Sequence, residues 1–141
     1  MSAPRILTGR CLCGGVRWRA ETAALSDLVA CHCEDCRRAT GNHVACATFP
    51  AKDVRIEETS LRWFASSETG RRGFCGTCGG NLFWTATDRD RIEIWMGTAD
   101  MPTGLRLAAH EFVASKADWD AIPPDGLPRF ERIAPDEEAG R

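Results

Sequence analysis

Three cysteines fall within six residues, at Cys31, Cys33 and Cys36, in the stretch CHCEDCRRATG that ends at Gly41. Thiolates are ligands for zinc, and three of them leave a tetrahedral ion one ligand short. A fourth ligand from the chain would close the site and make it structural. An open position would suit catalysis. Arg37 and Arg38 follow Cys36 directly. Three thiolates around a dication carry a net negative charge, which the two guanidiniums offset while attracting an incoming anion. A short helical turn starting near Cys33 would also aim backbone N–H groups at the sulfurs and favour their ionised form.

Three residues compete for the fourth position. Cys46 is the leading one, yet in Val44-Ala45-Cys46-Ala47 it also suits a small buried apolar residue of a strand. His43 comes next, as a ligand or as an acid–base group at the pocket. His32 sits between two ligands, so its side chain is expected to point away from the ion they share. The balance favours a fourth position kept for an incoming ligand.

The other thiols are grouped differently. Cys11 and Cys13 form a C-x-C pair followed by Gly14-Gly15, and Cys75 and Cys78 form a C-x-x-C pair followed by Gly79-Gly80. A metal knuckle turns the backbone so tightly that the residue after the second cysteine often needs positive φ, which glycine adopts at little cost. Together the pairs supply four thiolates, a closed structural zinc site whose binding energy would be part of the folding energy.

The chain has 141 residues, 43% of them hydrophobic and 27% charged, with a formal net charge of −2. That balance fits one soluble domain and gives no basic face for nucleic acid. No apolar run is long enough for a membrane span. The first residues carry no apolar stretch behind a basic one, so a cytoplasmic location is expected. There, reduced thiols are metal ligands or catalytic groups rather than disulfides.

The elements that must position these residues are short strands. Val16–Arg19, Val44–Phe49, Val54–Glu57, Leu61–Phe64, Asn81–Thr85, Arg91–Met96 and Ala108–Val113 alternate or are β-branched and aromatic, with Gly, Asn, Asp, Ser and Pro between them. About eight strands with brief turns predict an all-β domain. The best helical turn is Glu34–Ala39, with Gly41 as its stop. Trp18, Trp63, Trp84, Trp95 and Trp119 are expected in the core or a pocket wall. His110 reads as a structural hydrogen-bonder, and Lys116 as a turn cap or an anion contact. The acidic end, residues 131–141, is expected to be flexible.

The order of four motifs resembles a known family. GRCLCGGV from Gly9, CHCEDCRRATG, FCGTCGGNL from Phe74, and HEFVASKADW from His110 with a closing LPRF at Leu127 are similar to the glutathione-dependent formaldehyde-activating enzymes and centromere protein V. The resemblance runs over residues 9–130, after an eight-residue lead-in. It implies an Mss4-like β-tent fold with two zinc ions per chain. One is structural, on Cys11, Cys13, Cys75 and Cys78; the other is labile and catalytic, on Cys31, Cys33 and Cys36. It also implies a carbon–sulfur lyase-type enzyme that condenses glutathione, or a related thiol, with formaldehyde or another small carbonyl. Arg37 and Arg38 are then candidates for binding glutathione. The alternative is a non-catalytic glutathione- or zinc-binding module of the same fold. Neither nucleic acid nor membrane is expected as a partner, and the chain would be a monomer or homodimer.

Overall fold

The computed structural model describes residues 3–23 and 27–135. Contacts divide the chain into two compact units, one from residues 1–26 and 47–104, the other from residues 27–46 and 105–141. The described elements are mostly β-strands, with one short helix and three single 3-10 turns.

In the first unit, β1 (Arg5–Arg10), β2 (Val16–Thr22) and β5 (Val54–Glu58) form an antiparallel sheet in the order β1-β2-β5. The period of two expected for β2 is realised: Val16, Trp18, Ala20 and Thr22 are buried, and Arg17, Arg19 and Glu21 are exposed. Gly9 lies opposite Trp18 in the β1–β2 register. A Cβ on Gly9 would stand 2.4 Å from both the Thr98 carbonyl oxygen and the Trp18 ring, so this close approach requires glycine.

Four further strands of this unit, β6 (Leu61–Ala65), β7 (Gly70–Cys75), β8 (Asn81–Ala86) and β9 (Arg91–Trp95), pair antiparallel in the order β9-β8-β7-β6. Phe49, Leu82, Phe83 and Ile94 are fully buried here. Trp18 and Trp95 are buried with them, whereas Trp63 is 41% exposed. Trp18 also donates its indole N–H to the Thr98 hydroxyl at 3.0 Å.

In the second unit, β3 (Leu28–Cys31) pairs antiparallel with the start of β4 (Val44–Pro50) and parallel with β10 (Leu107–Glu111). Between β3 and β4 lies α1 (Glu34–Thr40), with Cys33 as its N-cap. The left-handed Gly41 ends it, donating its N–H to the Arg37 carbonyl, as the sequence predicts.

Three strands are missing from the sequence-based set. β7 buries Gly70, Arg72 and Gly73, residue types that do not advertise a strand. Gly73 is needed because a Cβ there would meet the Trp63 and Phe83 rings at 3.0–3.1 Å. β1 buries only Leu7 and Gly9, and β3 is four residues long, too short for a periodic signal.

Candidate metal centres

The first unit gathers Cys11, Cys13, Cys75 and Cys78, whose sulfurs all lie within 4.8 Å of one another. Cys11 and Cys13 precede β2, while Cys75 ends β7 and Cys78 closes the turn before β8. Gly14 has φ of 79° and Gly79 has φ of 76°, the left-handed turns expected after each pair. The Sγ–Sγ separations are 3.7 Å for Cys11–Cys13 and 3.6 Å for Cys13–Cys75. Four sulfurs about 2.3 Å from a tetrahedral zinc stand about 3.8 Å apart, so the cluster has the size of that shell. A disulfide, at about 2.05 Å, is far shorter.

Donors surround these sulfurs. The Val16 N–H points at Cys11 Sγ, the Gly15 N–H at Cys13 Sγ, and the Thr77 and Cys78 N–H groups at Cys75 Sγ. The Ser60 hydroxyl lies 3.0 Å from Cys75 Sγ. That hydroxyl, then the Cys78 and Thr77 N–H groups and the Cys13 thiol, lower the Cys75 pKa to about 5 against the opposing effect of burial. The Cys13 and Gly80 N–H groups lower that of Cys78. At Cys13 the Gly15 N–H favours the thiolate, but neighbouring thiols and burial outweigh it and raise the pKa to about 11. The surrounding donors thus favour the thiolate form at Cys75 and Cys78, and a dication would favour it at all four sulfurs.

The second unit gathers Cys31, Cys33 and Cys36 in the same way. Cys31 ends β3, Cys33 caps α1, and Cys36 is the buried residue of that helix. Cys33 Sγ accepts the Cys36 N–H at 3.2 Å, and the Cys36 and Cys31 sulfurs are 3.6 Å apart, again a ligand-shell separation. The thiols of Cys33 and Cys36, then burial, push the Cys31 thiol up. Three clustered thiols, one of them capping a helix, fit a soft or borderline cation of the zinc class. Both cysteine clusters are therefore able to hold a metal ion.

Neither Cys46 nor His43 belongs to this sulfur group among the described residues. Cys46 is 2% exposed and lies opposite Val29 in the β3–β4 ladder. Arg37 follows Cys33 by four residues and so shares its helix face, and the Arg37 Nε is buried without a hydrogen-bond partner. Arg38, the next residue round the helix, binds Glu34, Nε to Oε1, at 2.8 Å. This hydrogen bond from Arg38 holds the Glu34 carboxyl below its ordinary range.

His32 turns away from the sulfurs that flank it, as expected, into a buried network. Its Nε2 lies 3.0 Å from His110 Nδ1, and His110 Nε2 lies 2.8 Å from Asp125 Oδ2. The parallel register explains the meeting. His110 lies opposite Ala30, so it faces the side to which Ala30 and His32 point. His43 Nδ1 lies 3.2 Å from Asp120 Oδ2, with the His32 Nδ1 3.6 Å from the same oxygen. Burial, followed by the nearby His43 and His110, lowers the His32 pKa. Lys116 donates to the Ala117 and Asp120 carbonyls and caps the turn that presents Asp120. Asp120 and Asp125 are the site residues that the sequence did not single out; an acid in a Pro-rich or Trp-containing loop reads as an ordinary turn residue.

The sequence pattern of the glutathione-dependent formaldehyde-activating enzymes matches residues 6–115. Among solved structures, a crystal structure of a Rhodobacter sphaeroides protein is similar to this chain. It is 20% identical, covers 86% of this chain and 98% of its own, and has a TM-score of 0.52, a likeness of fold. No curated protein matches. No helix is long and apolar enough to cross a membrane among the described residues.

Proposed function

The chain belongs to the glutathione-dependent formaldehyde-activating enzyme family, and on that premise we propose a zinc-dependent enzyme of the carbon–sulfur lyase type. It joins glutathione, or a related thiol, to formaldehyde or another small carbonyl. The observation that carries this reading is a cluster of three thiols, not four, with the buried and unpartnered Nε of Arg37 one helical turn after Cys33.

In this reading Cys11, Cys13, Cys75 and Cys78 hold a structural zinc, and Cys31, Cys33 and Cys36 hold a second. Zinc bound at the second set supplies positive charge that favours the thiolate form of an incoming thiol at neutral pH. Arg37 offers donors to a carboxylate of the thiol substrate and so fixes its orientation. Cys33, as the helix cap, fixes the place of the sulfur cluster relative to Arg37. Proximity is then the main catalytic contribution, because formaldehyde is already strongly electrophilic. The product keeps every atom of both substrates: sulfur bonds to the carbonyl carbon and the thiol proton ends on its oxygen.

The test is the rate of S-hydroxymethyl adduct formation from glutathione and formaldehyde, set against the spontaneous rate, for the native chain and Cys33→Ser. Acceleration by the native chain, lost in the variant, is expected. Calorimetric binding of glutathione without acceleration would make the chain a binding module instead.

A further inference from the structure

The histidines and aspartates of the second unit carry an inference separate from the sulfur chemistry. Asp125 accepts from His110 Nε2 and from the Leu127 N–H at 3.0 Å. A carboxylate only accepts, so His110 carries its proton on Nε2. In that tautomer His110 accepts at Nδ1, and His32 donates to it from Nε2. This leaves a lone pair on His32 Nδ1, which is buried and without a hydrogen-bond partner. That lone pair faces Asp120 Oδ2 at 3.6 Å, and Asp120 Oδ2 in turn lies 3.2 Å from His43 Nδ1. Two acceptors turned toward each other are satisfied by a positive centre between them, either a proton on Nδ1 or a metal ion, and the third residue at this point, His43, is what favours the metal.

We infer that His32, His43 and Asp120 form a third metal site, for a divalent first-row transition-metal ion. One ligand atom from each residue lies within 4.8 Å of the others. Nitrogen and oxygen ligands about 2.1 Å from an ion stand about 3.4 Å apart in a tetrahedral shell, close to the 3.6 and 3.2 Å of His32 Nδ1 and His43 Nδ1 from Asp120 Oδ2. Two imidazoles and a carboxylate are the ligand types that suit zinc, cobalt, nickel or iron(II), with positions left for water or an anion. His110 and Asp125 complete the arrangement. They fix the His32 tautomer and increase its basicity, as the carboxylates behind metal-bound histidines do. The His32 side chain is 1% exposed, Asp120 18% and His43 36%, so an ion reaches the site from the His43 side. The Cys46 thiol and the three clustered sulfurs lie outside this ligand set among the described residues.

The test is a titration of the full chain, with its zinc content measured first, with Co²⁺. One additional cobalt with nitrogen–oxygen ligand-field bands and no sulfur-to-cobalt charge transfer is expected. His43→Ala and Asp120→Asn should each weaken it at least about tenfold, and Asp125→Asn about 10- to 100-fold through the His110 relay. Zinc on the cysteines should be unchanged in all three variants. No additional cobalt, cobalt held only by sulfur, or binding unaffected by His43→Ala and Asp120→Asn would overturn the site. Because zinc content and adduct formation are read separately, failure here leaves the sulfur-site reading standing.

Discussion

His110 donates from Nε2 to Asp125 Oδ2 at 2.8 Å, and this hydrogen bond, with the Leu127 N–H behind it, holds the Asp125 carboxyl below its ordinary range. A carboxylate whose pKa is lower in the folded chain stabilises the fold above its unfolded pKa, about 3.9. That stabilisation is lost as the pH falls through the lower folded value. Asp125→Asn should therefore melt below the native chain at pH 7, and the gap should close in acid, below about pH 4. Thermal melts of both proteins from pH 7 down to pH 3 check this. A gap that is constant over that range would mean the contribution is packing alone.

The two cysteine clusters should answer differently to the loss of a single sulfur. Cys75 is fully buried, and its cluster ties residues near position 11 to residues near position 78. Metal binding there is folding free energy. Cys78→Ser should lose one zinc and its cooperative melting transition. The Cys33 cluster involves one strand end and one short helix. Cys33→Ser should lose the other zinc while its Tm stays within about 4 °C, roughly 1 kcal/mol at this size. Zinc quantitation with thermal melts on both variants decides it, and equal destabilisation would defeat the division.

The cysteine clusters were legible in the sequence because their ligands are close neighbours in pairs or triplets, and local spacing forces the sulfurs together. Seven strands were legible because β-branched and aromatic residues marked them. β7 was not, since its inward positions are Gly70, Arg72 and Gly73, chosen for neighbouring rings rather than for strand propensity. The His32–His110–Asp125 relay was not legible either. His32 and His110 are 78 residues apart and meet only through the parallel β3–β10 register, which no local pattern announces. The acidic end expected to be flexible falls, from residue 136 on, outside the described residues.

The knuckle glycines allow backbone strain to be separated from crowding. Gly79 has φ of 76° and nothing within 4 Å of where a Cβ would stand, whereas the adjacent Gly80 has ordinary φ and its Cβ would meet Cys11 Cβ and Cys78 Sγ at 3.4 Å. Gly79→Ala should cost about 1–2 kcal/mol, the penalty of a left-handed L-residue, and lower Tm by about 3–8 °C. Gly80→Ala should change Tm by less than half as much. Thermal melts of the zinc-loaded variants measure both. A larger loss for Gly80→Ala would show that space, not φ, sets the glycine requirement after Cys78.

The two arginines after Cys36 are equivalent in sequence but not in place. Arg37 shares the Cys33 face of α1, with its Nε buried and unpartnered, while Arg38 is 69% exposed and bound to Glu34. A hydrogen bond from a guanidinium to a substrate carboxylate contributes about 1.5–3 kcal/mol. Arg37→Ala should therefore weaken glutathione binding by roughly 10- to 100-fold, a loss that Arg37→Lys restores only in part because it lacks the bidentate fork. Arg38→Ala should leave binding within about twofold, since it removes only an exposed pair already satisfied by Glu34. Calorimetric titration of zinc-loaded chains with glutathione measures all three. Equal losses for Arg37→Ala and Arg38→Ala would place the anion contact outside the Cys33 face and sink the orientation proposed for the thiol.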